Sequence, residues 1–185
     1  HNSKTLYFGS QRVWKSTDRG DSWTPISTDL TTNTNRYTLK MIDNVPSVDD
    51  LYDNGAMSKY ATLTNLSESS IQEGLIYTGS DDGLIYRTTD GGTNWKPSGA
   101  IPGVPERSFI NDVEASNHDA NVVFASVDAH KFGDYKPYLF MSSNKGKSWT
   151  SIVGDLPSET IIWSIKQDAI DKNLLFIGTE YGIYF

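Results

Sequence analysis

The chain has 185 residues, of which 37% are hydrophobic and 12% aromatic, and its formal net charge is −7. This length and composition predict one globular domain with its own core, and an acidic chain without a basic run does not suit a nucleic-acid partner. The absence of cysteine excludes disulfides, thiolate metal ligands and cysteine nucleophiles, and no metal site or cofactor is expected. No apolar run approaches the ~20 residues of a membrane-spanning helix.

Short runs of β-branched and aromatic residues, interrupted by Gly, Ser or Asp, follow one another along the whole chain. Such runs predict β-strands joined in hairpins. In chain order the strand pairs are 6–10 with 12–15, 75–79 with 84–87, 122–126 with 138–141, and 174–178 with 182–185. Inner strands are expected near 60–66, 111–116 and 161–167. The fold is therefore predicted to be all-β.

An eight-residue pattern, S/T-x-D/N-x-G-x-S/T/N-W, follows each of the first three strand pairs. Its defining residues are Ser16, Asp18, Gly20 and Trp23, then Thr88, Asp90, Gly92 and Trp95, then Ser142, Asn144, Gly146 and Trp149. In a tight turn the Asp or Asn accepts hydrogen bonds from backbone amides, Gly adopts a positive φ, and Trp buries its ring against a neighbouring sheet. Because Asn144 keeps these bonds but is neither acid nor base, the three boxes are predicted to be structural.

The three boxes resemble the Asp-box, or bacterial neuraminidase repeat, and with Gly79–Gly83 and Lys136–Phe140 the chain resembles bacterial sortilin-like propeller proteins. This resemblance implies a partial β-propeller of four-stranded antiparallel blades, with strands A to D from inside to outside and the box in each C–D turn. It implies a single domain from a longer chain whose other blades complete the ring, and an extracellular, periplasmic or cell-surface location. The implied segments are a partial blade in 1–27, an insertion in 28–59, blades in 60–99 and 110–153, and a partial blade in 160–185.

Successive turns of an antiparallel blade lie on opposite sides of the ring. The A–B and C–D turns form one side, which we call the box face, and the B–C and D–A connections form the other, the loop face. The connections that differ most between repeats, 28–59, 99–109, 129–136 and 154–159, all belong to the loop face. Variable loops on a rigid scaffold are where binding sites concentrate, so we expect the loop face to carry the function.

The binding candidates on the loop face are charged or aromatic residues of the B–C connections: Asp81, Asp82, His130, Lys131, Asp134, Tyr135, Lys136, Glu180 and Tyr181. His130 and Asp134 would form an acid–base pair if the loop folds them together. For Asp81 and Asp82 the favoured alternative to a binding role is that they are ordinary residues of a hairpin turn.

Two further groups of residues have a favoured structural explanation. Trp163 either lines the central channel or belongs to the core, and the core is favoured. Asp43, Asp49, Asp50 and Asp53 lack the spacing of a calcium loop and predict a solvated segment.

We expect a propeller scaffold that binds a peptide, a protein or a glycan. The alternative is a glycoside hydrolase, xyloglucanase-like or other, whose active site other blades complete. A sialidase is not supported, because Ile101–Pro102 lacks the Arg that begins the Arg-Ile-Pro motif implied by that resemblance. A purely structural platform is the third class.

Overall fold

The computed structural model describes residues 1–40, 45 and 59–185, so Asp43, Asp49, Asp50 and Asp53 lie outside the described residues. Its strands form four antiparallel sheets, which we number in chain order. Sheet 1 contains β1 (Leu6–Gly9), β2 (Val13–Ser16) and β3 (Thr24–Pro25), and sheet 2 contains β4 (Leu63–Glu68), β5 (Ile76–Ser80), β6 (Ile85–Thr88) and β7 (Trp95–Pro97). Sheet 3 contains β8 (Phe109–Ala115), β9 (Val123–Ala129), β10 (Asp134–Ser142) and β11 (Thr150–Ser151), and sheet 4 contains β12 (Ile162–Gln167), β13 (Leu175–Thr179) and β14 (Gly182–Tyr184). Among the described residues, Arg36–Thr38 and His130–Phe132 form single-turn 3-10 helices in connections of the loop face.

The inner strands of successive sheets touch, β4 against β8 and β8 against β12. Sheets 2 and 3 have four strands each in the order A to D, whereas sheet 1 corresponds to strands B to D and sheet 4 to strands A to C. The predicted all-β architecture of four-stranded antiparallel sheets is confirmed.

Apolar side chains fill the space between each pair of neighbouring sheets. In β9, Val123, Ala125 and Val127 belong to the cluster shared with sheet 2, while Phe124 belongs to the cluster shared with sheet 4. Because successive side chains of a strand point to opposite faces, β9 is buried on both sides and all seven of its residues are inaccessible. A smaller cluster around Val13 and Leu63 joins sheets 1 and 2.

Hydrogen bonds between inner strands link the sheets around the centre. The register of each inner strand shifts at the same point, which places Thr64, Asn111 and Trp163 in equivalent irregular positions. The Thr64 hydroxyl donates to the Ile110 carbonyl at 2.7 Å, and the Asn111 amide donates to the Ile162 carbonyl at 2.7 Å. These bonds fix the spacing of neighbouring sheets.

The three boxes share one hydrogen-bond pattern in the turns between strands C and D. The Ser or Thr hydroxyl donates to the Asp or Asn side chain at 2.7, 2.7 and 2.9 Å and accepts from the Gly amide at 2.7, 3.0 and 2.8 Å. The same Oδ1 accepts the backbone amide four residues on at 2.9 Å in each box. Gly20, Gly92 and Gly146 all have positive φ. Box geometry is therefore the same whether the central residue is Asp or Asn.

The box tryptophans connect a sheet to the one before it. Trp95 Nε1 donates to the Ile26 carbonyl and Trp149 Nε1 to the Ser98 hydroxyl, both at 2.8 Å, and both acceptors directly follow the last strand of the preceding sheet. Trp23 instead donates to the Gly20 carbonyl of its own box, packs edge-on against Phe8, and is 40% exposed. The expectation that each box Trp packs on a neighbouring sheet is wrong for Trp23, because no described sheet precedes sheet 1.

Candidate functional site

The same position of the B–C connection holds a carboxylate in sheets 2, 3 and 4. Strand register pairs Leu63 with Ser80, Ile110 with Val127, and Ile162 with Thr179. The residue after each B-strand member of these pairs is acidic, and the three residues are Asp81, Asp128 and Glu180. The loop face therefore carries one carboxylate per sheet at the entry to each inner strand.

In sheets 2 and 4 this carboxylate holds the start of the inner strand. Asp81 Oδ1 accepts the Thr62 amide at 2.8 Å, and both oxygens of Glu180 lie within 3.1 Å of the Ile161 amide. Asp81 is buried, and burial is the main cause that raises its pKa. These two predicted binding residues therefore have a structural role at their own sheets.

In sheet 3 the equivalent Asp128 serves a histidine. The 3-10 helix His130–Phe132 turns the chain back, and Gly133 closes it with a φ of +74°. Asp128 accepts both the His130 amide, at 2.8 Å, and the His130 Nδ1 group. The buried Asp128 thus fixes the orientation of the His130 ring on the loop face.

The loop does not fold His130 and Asp134 together, so the acid–base pair that depended on this condition does not form. Asp134 lies at the start of β10, where its Oδ2 accepts the Tyr138 hydroxyl at 2.7 Å and its Oδ1 accepts the Lys136 amide at 3.2 Å. The hydrogen bond to Tyr138 is the main cause that lowers the pKa of Asp134. His130 directly follows the last residue of β9, and the carboxylate that it contacts is Asp128, two residues before it.

Trp163 stands beside His130 on the loop face. The two ring centroids are 6.5 Å apart, and Trp163 is 46% exposed. The favoured assignment of Trp163 to the core is therefore wrong. The register shift in β12 breaks the strand alternation on which that assignment depended.

Lys131 brings sheets 2 and 3 into electrostatic contact. Its ammonium lies 4.8 Å from the centre of the Phe109 ring. Partial burial lowers the pKa of Lys131, the charges of Asp81 and Asp128 raise it, and Arg36 lowers it further. Lysine, arginine and carboxylates from three connections thus surround one part of the loop face.

Asp82 is buried and anchors the insertion. It accepts the Ser80 hydroxyl, and its Oδ2 accepts both the amide and the hydroxyl of Thr32, each at 2.7 Å. A carboxylate held by three donors does not form an exposed catalytic pair with its neighbour. Asp81 and Asp82 thus act as residues of a hairpin turn, which was the favoured alternative to a binding role.

Three of the predicted binding residues border an open groove of the loop face. Asp134, Tyr135 and Lys136 line one side of this groove of about 760 Å³, and Leu156 and Glu159 line the other. Tyr135 is 52% exposed, and Tyr181, in the turn after Glu180, is 72% exposed. The structure thus divides the predicted residues among the centre of the face, this groove and the turn of sheet 4.

Asp128, Trp163 and Phe109 were missed or misjudged from the sequence. Asp128 lies inside β9, immediately before the predicted variable connection 129–136, and was not among the predicted binding residues. Aligning the three B strands by register exposes the signal, because Asp81, Asp128 and Glu180 then coincide.

No group of three or more His, Asp or Glu side chains within residues 1–40, 45 and 59–185 is arranged to hold a metal ion. Over the same residues, none of the helices has the length and apolar character that crossing a bilayer requires.

Comparison with known proteins gives structural neighbours only, since no family model and no curated protein matches the chain. A structure of YCF48 bound to a D1 peptide superposes with a TM-score of 0.54 at 12% identity, covering 97% of this chain and 49% of that one. The chain forms a partial β-propeller. The GH74 xyloglucanase from Xanthomonas campestris aligns over 99% of this propeller segment and 34% of the enzyme, with a TM-score of 0.48 and 15% identity. The segment spans about half, or less, of the length of these structures.

Proposed function

We propose that this propeller segment is a binding scaffold that takes a peptide on its loop face. The observation that carries the proposal is a set of half-exposed aromatic side chains on the loop face of sheets 3 and 4, beside fixed charged groups. They are Phe132 at 48%, Tyr135 at 52%, Trp163 at 46% and Tyr181 at 72% exposure. Exposed aromatic residues beside polar groups are typical of protein recognition surfaces.

The arrangement of the charged groups supports binding over catalysis. Asp81, Asp82 and Glu180 are held by backbone or hydroxyl donors, and Asp134 is held by Tyr138. Each therefore acts as part of the scaffold, whereas a glycoside hydrolase needs two carboxyl groups facing one sugar across ~5–10 Å. Trp163 lies beside the His130 ring, which Asp128 orients, so at least this part of the aromatic surface is held in place before a ligand binds.

The peptide-bound YCF48 structure gives a precedent for the ligand class. It shares the fold of this segment, and its ligand is a peptide. We extend only the class of ligand to this chain, on the strength of the aromatic surface described above. Completion of the ring by further blades, and a location outside the cytoplasm, remain proposals that rest on the family resemblance.

A random-sequence peptide library displayed on phage tests the proposal. We expect the chain to enrich peptides, and the Trp163→Ala and Phe132→Ser variants to weaken the selected peptides at least about tenfold, which is ~1.4 kcal/mol. Fluorescence anisotropy with labelled peptides measures the loss.

Ile170→Ser is the matched control, because Ile170 is 93% exposed but lies in the A–B turn of sheet 4 on the box face. It should leave the affinity unchanged. Failure to enrich any peptide, or equal weakening by Ile170→Ser and Trp163→Ala, would refute peptide binding at this surface.

A further inference from the structure

A separate pocket of about 360 Å³ lies on the loop face between sheets 1 and 2. The B–C turn of sheet 1 forms one wall through Ser10 and Gln11, and the described part of the insertion forms another through Asp29 and residues 33–35. The segment that leads into β4, residues 59–62, closes the pocket. Most of the lining side chains are polar, and they include one carboxylate, Asp29, and one cation, Lys59.

The polar groups of this pocket are oriented by short-range hydrogen bonds. Asp29 Oδ1 accepts the amide and the hydroxyl of Thr31 at 2.9 and 2.6 Å, and Asn35 Oδ1 accepts the Tyr37 amide at 3.0 Å. Each of these bonds uses one end of a planar side chain. Asp29 Oδ2 and Asn35 Nδ2 have no hydrogen-bond partner among the described residues.

Gln11 occupies the position that holds the carboxylate in the other sheets. The pairing of Gly9 with Val13 in sheet 1 matches that of Gly79 with Ile85 in sheet 2, which aligns Gln11 with Asp81. The Gln11 carbonyl accepts the Leu30 amide at 2.9 Å, but its side-chain amide is unpaired within the described part of the chain. Sheet 1 therefore presents a neutral donor and acceptor where the other sheets use a carboxylate.

Two non-glycine residues that line this pocket have a left-handed backbone conformation. Asn33 has a φ of 52° and the buried Ala61 a φ of 61°. Asn tolerates this conformation, whereas Ala is disfavoured by its Cβ. Backbone strain of this kind concentrates at ligand sites, and here it sets the positions of Tyr60 and Thr62.

Tyr60 has a guanidinium beside one face of its ring. The Arg36 guanidinium lies 5.7 Å from the ring centre. The Tyr60 hydroxyl makes no hydrogen bond with the residues that the structure describes. Tyr60 therefore contributes an aromatic ring to the pocket lining.

We propose that this pocket binds a neutral sugar. Neighbouring hydroxyls of a pyranose each donate and accept, which matches the planar amides of Gln11, Asn33 and Asn35 and the Asp29 Oδ2 atom, for which the described residues provide no donor. Asp29 and Lys59 place one charge of each sign on the lining, so the pocket favours neither an anionic nor a cationic ligand over a neutral one. The site is independent of the aromatic surface that carries the proposed peptide function.

A glycan array that includes glucose, galactose, mannose and xylose oligomers tests this assignment, followed by titration calorimetry with the strongest binder. Asn33→Gly removes the amide but retains positive-φ freedom, and Gln11→Ala removes a side chain with no partner among the described residues. We expect at least one neutral sugar to bind and each variant to weaken it at least fivefold, while thermal unfolding stays close to that of the parent chain.

Gln72→Ala is the matched amide control on the box face, and Trp163→Ala is the control at the peptide surface. Both should retain sugar affinity. The proposal is overturned if no neutral sugar binds, if Asn33→Gly and Gln11→Ala leave affinity unchanged, or if the pocket variants weaken peptide binding instead. Because Trp163→Ala reports on the peptide surface alone, failure at one site is distinguished from failure at the other.

Discussion

Adjacent glycines in the second box differ in what a side chain would meet. Gly92 has a φ of +101°, and an added Cβ would lie 2.7 Å from the Ile26 side chain of sheet 1. Gly91 has a φ of +71° and open space around it, and the equivalent residues Arg19 and Lys145 already carry side chains at positive φ. Of the two glycines, the turn geometry that the three boxes share therefore requires only Gly92.

Gly92→Ala should therefore destabilise the fold much more than Gly91→Ala. We expect about 1 kcal/mol for Gly91→Ala, from left-handed strain alone. Overpacking against Ile26 adds ~1–3 kcal/mol for Gly92→Ala. Urea unfolding of the two variants measures the difference, and equal losses would show that the box does not press on the preceding sheet.

The box carboxylates make the free energy of unfolding depend on pH in the acidic range. Hydrogen bonds from Ser22 lower the pKa of Asp18 from its ordinary value of 3.8 to about 2, and bonds from Asn94 lower that of Asp90 from 3.8 to about 2. A depressed folded pKa gives stability that is present above about pH 4 and is lost as the pH falls towards 2. Asn144 contributes nothing to this dependence, because an amide does not titrate in this range.

We expect an Asp18→Asn/Asp90→Asn variant to lose less stability between pH 4 and pH 2 than the parent chain. Thermal melts across this range measure the slope. Identical slopes for the two proteins would contradict the assignment of acid sensitivity to the boxes.

At the residue scale the sequence predicted the boxes well and the loop contacts poorly. Box bonds join residues within four positions of each other, so local pattern is sufficient to predict them. The partner of His130 depends on a 3-10 turn and on Asp128 being part of a strand, and neither has a distinct local signal. Trp163 was misjudged for the same reason, because a register shift moves a side chain without changing the strand pattern.

At the scale of elements, the box Trp contributes according to what precedes its sheet. Trp149 is 7% exposed and bonds to Ser98, whereas Trp23 is 40% exposed and bonds within its own box. We expect Trp149→Ala to cost ~3–5 kcal/mol, in the range of buried aromatic truncations, and Trp23→Ala to cost less than half as much. Guanidinium unfolding compares them, and similar costs would contradict the interlocking role of Trp149.

Strands and turns were predictable because strand periodicity and turn chemistry are both local. Each predicted strand pair corresponds to neighbouring strands of one sheet, with bounds differing by a few residues. The contact between Asp82 and Thr32 was not predictable, since it joins residues 50 positions apart through an insertion with no repeat equivalent. The sequence repeats predict the strands and box turns that the sheets have in common, whereas the connections of the loop face differ from sheet to sheet.

At the scale of the whole molecule, a half-buried carboxylate, Asp112, joins three sheets. Asp112 Oδ1 accepts the Asn65 amide of sheet 2 at 2.7 Å, and its Oδ2 accepts the Ile165 amide of sheet 4 at 2.7 Å. Burial is the main cause that raises the pKa of Asp112. Removing this side chain leaves donors of both neighbouring sheets without their acceptor.

Asp112→Ala is therefore expected to cost ~2–4 kcal/mol, because unpaired buried donors cost ~1–3 kcal/mol each. Glu114→Ala is the control two residues away, since it removes only the bond to the exposed Lys166 and should cost ~0–1 kcal/mol. Chemical unfolding distinguishes the two, and equal costs would show that Asp112 does not join the sheets.

We assign ligand binding to the loop face and structural support to the box face. Hydrogen–deuterium exchange with a bound peptide tests this assignment most directly. We predict slower exchange in residues 130–136, 161–164 and 180–182, with no change in the box turns at 16–23, 88–95 and 142–149. Protection confined to the box turns would contradict the assignment of binding to the loop face.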